Sequence, residues 1–555
     1  MAVRDLPGEA GGTVTDASVA VAAGGVGRSV RRIIVFTLLF VLVAISASGV
    51  GDLLGRLLDS GRLLASGDVT GLALSLAFTL IAGPLAALLW WFTWRGMSER
   101  IERESLSWGF YLAAMSTVAL VLGVSPLLAA ASALIGGDWQ PSDFATGIAW
   151  VAVWVAHHRM SRHPDRGPSR LTGGAPVLGY FFGIVIGTGG AVSALSSVFD
   201  AAITSTADSM VAGNPWWRFA LQGLVWMIGG ALVWWWHWTR IGARNLQSGF
   251  SEVVLIMVAA LGSVMLALGG VATALYVLLR LAFNQGVPVG TILDPLDAAI
   301  ASAAVGALIW TYYRGIVASG PEPRARGTRL VTSGVALVAA ASGIGVIVNS
   351  LLAAVGTPLA ETGVRPLLLG GISALVVGGP VWWLVWRPTR QLDPAWRGDA
   401  ARRVYLIVVF GLSALVAIVT LLLIGSRLFE FALGDVSGQS LLDRVRAPLG
   451  LLVATALAAG YHFAIWQRDR SVVTTPARVR SIARVILVTG SDPGSLVPVI
   501  RAATGAEVTV WRRADVAAVE PSTERLQAAL EGVTAERVLV ITGAEDRIDV
   551  IALQG

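Results

Sequence analysis

The chain has 555 residues, of which 55% are apolar and only 14% are charged. A soluble globular protein carries about 25% charged residues, so this composition excludes that class. The chain contains no cysteine, which excludes disulfide bonds, thiolate nucleophiles, iron–sulfur clusters and cysteine-based zinc sites. All 41 basic residues are arginine, and the formal net charge is +6.

Hydrophobic stretches long enough to cross a bilayer occur twelve times along the chain. A spanning helix needs about 20 mostly apolar residues, because about 30 Å of hydrocarbon offers no hydrogen-bond partners to the backbone. We therefore predict an all-α polytopic membrane protein of the bacterial inner-membrane type. The predicted spans are Ile33–Val50, Gly71–Trp94, Ser105–Ile135, Phe144–His158, Val177–Phe199, Phe219–Trp238, Ser251–Leu279, Leu296–Tyr313, Leu330–Ala354, Leu367–Trp386, Val404–Leu428 and Leu449–Trp466.

The distribution of arginine predicts the orientation of these spans. Between residues 28 and 484, the segments that precede the first span and follow the even-numbered spans hold 26 arginines, whereas the segments after odd-numbered spans hold 8. Short loops rich in arginine stay on the cytoplasmic side, so we expect both termini in the cytoplasm. The same distribution explains the positive charge, and we therefore expect no nucleic acid as a partner.

Every even-numbered span ends in aromatic residues followed by arginine. The distance from Arg95 to Arg240 is 145 residues, and the distance from Arg240 to Arg387 is 147 residues. A recurrence at this interval predicts units of four helices in tandem. The predicted organisation is a flexible cytoplasmic tail at residues 1–27, three four-helix units at residues 28–170, 171–327 and 328–474, and a further domain at residues 475–555.

The second and tenth spans share the pattern W-W-x-x-W-R at Trp90–Arg95 and Trp382–Arg387, whereas the sixth has one extra residue before Arg240. These endings resemble a repeated four-helix membrane domain known as domain of unknown function 5671. The resemblance covers roughly Val30–Arg468, as three tandem copies, and spans four, eight and twelve depart from the closing pattern. This family has no established activity, so the resemblance implies an architecture and not a chemistry.

Tryptophan beside arginine at helix ends is typical of an interfacial belt that fixes the depth of a helix in the membrane. The alternative is a pocket in which Trp94, Trp238 and Trp386 face an apolar or cationic ligand. The residues of this predicted belt or pocket are Trp90, Trp91, Trp94, Arg95, Trp235, Trp238, Arg240, Trp383, Trp386 and Arg387.

Four of the five histidines, His157, His158, His237 and His462, fall in the last turns of even-numbered spans. They are candidates for a haem or metal site, but adjacent histidines point about 100° apart on a helix. Interaction with the helix C-termini is favoured instead. We predict no catalytic residue, no cofactor and no metal.

The composition changes from about residue 475, where charged residues become dense and apolar runs shorten to the length of strands. The pattern predicts a small cytoplasmic α/β domain with the order β-α-β-α-β-β, in which Asp492 is a candidate helix cap. Exposed strand edges would allow this domain to pair with another protein or a second copy.

Charged residues at mid-span mark ion and proton pathways, and they are almost absent here. We therefore predict a non-enzymatic membrane scaffold or sensor that presents the α/β domain at the cytoplasmic face. The alternative function is a transporter or channel for a small solute. A haem-binding, metal-binding or lipid-modifying protein is the third hypothesis.

Overall fold

The computed structural model of the protein describes residues 13–59, 69–204, 215–284, 286–356, 363–390, 399–434, 440–473, 482–490, 492–513, 521–531, 533, 535–543 and 547–553. The chain forms two compact units. The first is entirely helical in its described part and ends at His462, whereas the second runs from Phe463 to the C-terminus and contains a sheet.

Twelve long helices occupy the described residues before the sheet. We number them α1 to α12 in chain order. They are Thr13–Leu58, Val69–Gly96, Leu106–Gly136, Pro141–Ser161, Gly174–Thr204, Trp216–Arg240, Gly249–Phe283, Val289–Ala318, Glu322–Gly356, Val364–Arg390, Ala400–Ala432 and Leu441–Val473.

Eleven of these described helices, all except α4, are long and apolar enough to cross a membrane. The prediction of a polytopic helical membrane protein is therefore confirmed, with eleven candidate spans instead of twelve. Helix α4 contains the predicted fourth span, but Asp143, His157, His158 and Arg159 make its ends polar. Its 21 residues extend over about 31 Å. It packs along α1, where Gly51 meets the backbone of Thr146.

Helix α1 begins at Thr13, within the segment 1–27 that was predicted as a flexible tail. The segment is rich in alanine, the residue with the highest helix propensity, so the helix continues well before the apolar span. Residues 1–12 of that predicted tail lie outside the described residues, as does the predicted domain boundary at residues 474 and 475.

The helices pack in the same order along the chain. The first helix of each group of four lies against the second, as in the pairs α1 with α2, α5 with α6 and α9 with α10. The third helix lies against the fourth in the pairs α3 with α4 and α7 with α8. Successive groups meet where α3 contacts α5 and α6, and where α7 contacts α9 and α10.

Glycines bring the backbones of α5 and α6 into direct contact. A Cβ atom added at Gly230 would lie 2.2 Å from the amide nitrogen of Gly187. A Cβ atom at Gly190 would lie 2.3 Å from the amide nitrogen of Met227. Helices surrounded by lipid associate through such close van der Waals contacts, because lipid chains are as apolar as the helix surfaces.

The C-terminal unit contains a four-stranded mixed sheet. Its elements are β1 Arg484–Thr489, α13 Pro493–Thr504, β2 Glu507–Arg512, α14 Thr523–Leu530, β3 Arg537–Thr542 and β4 Ile548–Leu553, in the predicted order. The strand order is β2-β1-β3-β4, with β1 parallel to both β2 and β3, and β4 antiparallel to β3. Asp492 caps α13 as predicted, since its side chain accepts a hydrogen bond from the Gly494 amide.

One face of this sheet forms a core with both helices. Val485 and Leu487 of β1 and Val538 and Val540 of β3 are fully buried on that face. They pack in one cluster with four helix side chains, which are Leu496, Ile500, Leu526 and Leu530. The alternation of buried and partly exposed residues along β1 and β3 is that of a sheet covered on one side.

We predict that Gly190→Ala destabilises the helical unit whereas Gly189→Ala does not. The added methyl group at position 190 would collide with backbone atoms of α6, and such overpacking costs about 1–3 kcal/mol. Nothing lies within 4 Å of a Cβ atom at position 189. Thermal unfolding of the purified variants in detergent, followed by tryptophan fluorescence, measures the difference. Equal unfolding temperatures for the two variants would contradict the close contact.

Candidate functional site

The ends of the even-numbered helices lie together on one side of the helical unit, which we call the arginine-rich side. Trp154 near the end of α4 is 6.1 Å from His237 near the end of α6, measured between ring centroids. The indole of Trp238 in α6 donates a hydrogen bond to the hydroxyl of Tyr312 in α8. The same side also holds the beginnings of α7 and α9, which are joined by an ion pair between Glu252 and Arg324.

Near the ends of α2, α6 and α10, two tryptophans are spaced as W-x-x-W, and the first of the two faces outwards. Trp91, Trp235 and Trp383 are more than two-fifths exposed. The guanidinium carbon of Arg95 lies 3.7 Å from the ring centroid of Trp91, and that of Arg240 lies 5.2 Å from the ring of Trp235. An outward tryptophan under an arginine at the end of a span suits the headgroup region of a bilayer.

The second tryptophan of each motif lies inside the helical unit. Trp238 and Trp386 are almost completely buried, and Trp94 is partly buried. The indole nitrogen of Trp238 donates to the hydroxyl of Tyr312 at 3.0 Å, and that of Trp386 donates to the hydroxyl of Tyr461 at 2.8 Å. The indoles of Trp238 and Trp386 therefore connect helices.

The extra residue before Arg240 is accommodated by a change in helix geometry. Residues Trp236–Arg240 form a π-helical turn, which holds one more residue than an α-helical turn would. Arg240 consequently remains over the ring of Trp235 despite the insertion.

Tryptophan residues one position earlier in the motifs also make contacts between helices. The indole nitrogen of Trp90 donates to the sulfur of Met160 in α4 at 3.4 Å. That of Trp234 donates to the hydroxyl of Tyr313 in α8 at 2.9 Å. Trp382 packs edge-on against Tyr461.

The buried histidines make the same local hydrogen bond. In His157, His237 and His462, Nδ1 lies 2.8 Å from the carbonyl oxygen four residues earlier, to which it donates. His157 Nε2 then accepts from the hydroxyl of Tyr111 at 2.9 Å. Among the described residues, no group of three or more histidine, aspartate or glutamate side chains converges on a point that a metal ion could occupy.

Hydrogen bonds and ion pairs at the arginine-rich side hold five odd-numbered helices, namely α1, α3, α7, α9 and α11. Ser105 caps α3, Ser248 caps α7 and Asp399 caps α11. Arg32 of α1 makes a bidentate ion pair with Glu102, with both N–O distances 2.8 Å. Arg326 of α9 pairs with Asp399 at 2.7 Å.

A small cavity of about 120 Å³ opens between α3, α4, α5 and α6 on the arginine-rich side. Ser116, His158, Arg162 and His237 are among the polar residues that line it, and none of Trp94, Trp238 or Trp386 does. The hydroxyl of Ser116 is buried without a hydrogen-bond partner in the described part of the chain. Ligand pockets usually measure about 300–1,000 Å³, whereas this volume suits a few water molecules.

A larger and more open cleft of about 420 Å³ lies at the opposite ends of α1 and α4. It is lined mainly by polar residues, including Asp52, Asp59 and Asp138 together with Arg56. Asp52 also accepts a hydrogen bond from the hydroxyl of Ser75 at 2.5 Å.

Sequence reasoning missed the tyrosines. The chain has seven tyrosines, and six of them lie in the clusters of the arginine-rich side, namely Tyr111, Tyr180, Tyr312, Tyr313, Tyr405 and Tyr461. Their enrichment near the ends of even-numbered helices and the beginnings of odd-numbered ones was a detectable signal. This signal does not identify which tyrosine contacts which tryptophan.

We predict that Trp386→Phe destabilises the helical unit by about 1–3 kcal/mol, because a smaller ring leaves a void and the Tyr461 hydroxyl loses its donor. The matched control is Trp383→Phe, which changes an exposed ring on the same helix and should have an effect within about 0.5 kcal/mol. Unfolding titrations with sodium dodecyl sulfate in mixed micelles measure both. Equal losses for the two variants would contradict the distinct roles of the two tryptophans.

The sequence profile of a domain of unknown function, DUF5671, matches residues 32–156 and residues 326–459. No curated protein and no solved structure matches the chain. Both matched regions contain an arginine at their first position, a buried or partly buried tryptophan before an arginine, and a tyrosine six residues after a helix cap, at Tyr111 and Tyr405. The chain is therefore a multi-pass membrane protein in which two regions match the DUF5671 domain.

Proposed function

We propose that the protein is a non-enzymatic membrane scaffold or sensor whose helical unit anchors the C-terminal α/β domain for contact with a protein partner. We further propose that the helical unit consists of three tandem four-helix units, with a third copy of the DUF5671 architecture between the two matched regions. Both termini are assigned to the cytoplasm.

The proposal of a third copy is supported by contacts that recur in α5 to α8. Helix α7 begins at a serine cap, as α3 does. Trp238 bonds Tyr312 across helices in the same way as Trp386 bonds Tyr461. The sixth span has one residue more before its arginine than the second and tenth spans, and the π-helical turn at Trp236–Arg240 accommodates it. Arg240 therefore lies over Trp235 as Arg95 lies over Trp91.

A supporting rather than transporting role for the helical unit is favoured by the use of its polar side chains. The indoles of Trp234, Trp238 and Trp386 donate hydrogen bonds to tyrosine hydroxyls. The hydroxyl of Tyr111 donates to His157. The cavity beside Ser116 lies at one end of the helices instead of near their middle, and it has room for little more than water.

The observation that carries the proposed function is the second face of the C-terminal sheet. Register places Val488 beside Trp511 and Ile541, and places Leu539 beside Ile551. Trp511 is 58% exposed and Ile551 is 45% exposed. Paired residues point to the same face, so this face carries large apolar side chains opposite the face that packs against α13 and α14. Exposed aromatic and aliphatic residues of this kind are typical of a binding surface.

We predict that a photo-reactive amino acid at position 511 of the full-length chain crosslinks to a protein in native membranes. The same amino acid at position 501, an exposed residue of α13, is the control for random contact. The mass of the adduct distinguishes a second copy of this chain from a different partner. Adducts at position 511 that contain only lipid, or that are no more abundant than those at position 501, would refute the proposed role of the sheet face.

The assignment of the termini has a separate test. Reporters of cytoplasmic and extracytoplasmic location, each fused after Gln467, should give activity only for the cytoplasmic reporter, because arginine-rich segments are retained in the cytoplasm. A fusion after Leu58, at the opposite end of α1, should give the reverse result. An active extracytoplasmic reporter after Gln467 would overturn the orientation.

A further inference from the structure

Helix α11 presents a continuous apolar stripe to the outside of the helical unit. The stripe consists of Val408, Leu412, Leu415, Val419 and Leu422, which are spaced to lie on one face of a helix. Each of these side chains is at least 55% exposed, and Leu422 is 69% exposed. Only Arg402, Leu406, Thr420 and Ile424 are buried in the whole helix.

The counterpart of α11 in the first matched region is α3. The two matched regions begin 294 residues apart, at residues 32 and 326, and the caps Ser105 and Asp399 are also 294 residues apart. The residues of α3 that correspond to the stripe are all partly buried. They are Ala114, Val118, Val121, Ser125 and Leu128.

Contacts with the next helices of the chain explain this difference in exposure. Helix α3 packs against α5 and α6. A Cβ atom at Gly229 of α6 would lie 2.3 Å from the side chain of Leu128, and the amide of Gln222 in α6 donates to the carbonyl oxygen of Ser132 at 3.2 Å.

The same arrangement recurs once more. Helix α7 packs against α10, where Gly370 lies against the ring of Tyr276. Arg365 of α10 donates to the carbonyl oxygen of Phe283 at 2.7 Å, as Gln222 does to that of Ser132. The third helix of a unit therefore receives the second helix of the following unit at two places in the chain.

No further four-helix unit follows α11 in the described chain. The stripe therefore occupies the position at which the second helix of a following unit would bind. Helix α2 is the second helix of the first unit, which has no preceding unit in the described chain. Its outward face corresponds to the face with which α6 and α10 contact the preceding unit. Leu85 lies nine residues before Trp94 in α2, and Gly229 lies nine residues before Trp238 in α6, so the two positions correspond. Leu85 is 49% exposed, and Ile81, Leu88 and Phe92 continue its stripe.

From this recurrence we propose that the stripe on α11 binds the outward face of α2 in a second copy of the same chain, in a head-to-tail contact. The proposal rests on the three-unit organisation proposed above. Exposure to lipid does not by itself drive apolar helices to associate. The inference therefore depends on the recurrence of the contact between the third helix of one unit and the second helix of the next. A head-to-tail contact of this kind leaves each copy with one free face, and it closes into a ring or extends as a chain of copies.

Cysteine crosslinking tests the contact without background, since the chain has no cysteine. Two copies with different tags are expressed together in native membranes, one with Leu422→Cys and the other with Leu85→Cys, and are then oxidised. We expect a covalent heterodimer several-fold more abundant than that formed when Val376→Cys replaces Leu85→Cys. Val376 is an exposed residue at a similar height on α10.

The equivalent pair within one chain, Leu128→Cys with Gly229→Cys, is the reference for the internal interface. If this pair fails to crosslink, the three-unit organisation is wrong. If it crosslinks while the heterodimer is absent, lipid covers the stripe and the head-to-tail contact is wrong. A homodimer formed by Leu422→Cys alone would overturn the proposal in favour of a symmetric contact.

Discussion

The absence of water inside a bilayer is the constraint on which this structure depends. It removes the hydrophobic force between spanning helices, so association requires backbones to touch and polar side chains to find partners within the protein. Glycines meet this requirement along the middle of the helices, as Gly190 and Gly230 do between α5 and α6. Bonds between aromatic side chains meet it at the arginine-rich side, where indole nitrogens donate to tyrosine hydroxyls.

This division explains why tryptophans that look alike in the sequence have different surroundings. In a W-x-x-W-R ending, the two tryptophans are three residues apart and lie about 60° apart around the helix axis. Trp383 is exposed, and Trp386 is completely buried against Tyr405, Tyr461 and His462. The motif therefore places one tryptophan on the surface of the helical unit and uses the other to connect two helices.

The membrane fold was largely predictable because the length of an apolar stretch reports directly on the thickness of the bilayer. The order of elements in the C-terminal domain was predictable for a similar reason, since β1 and β3 are short runs of branched residues between turns. Helix α4 was the exception, because its ends carry Asp143, His157, His158 and Arg159 and its hydropathy falls below that of its neighbours. The partners of Trp94, Trp238 and Trp386 were not predictable, because they depend on which helices are neighbours, and periodicity within one helix does not contain that information. Helix α1 extends beyond the apolar span towards the N-terminus because alanine favours a helix outside the membrane as well as within it.

The central claim is that the even-numbered helices, including α4, all end at the same membrane surface. A cryo-electron microscopy structure in lipid nanodiscs tests this claim most directly, because the disc defines both surfaces. The account predicts that Trp94, Trp238 and Trp386 lie at one level of one leaflet, with α4 crossing the disc between α3 and α5. Density that places Trp94 in the leaflet opposite Trp238, with α4 lying along the surface, would contradict it.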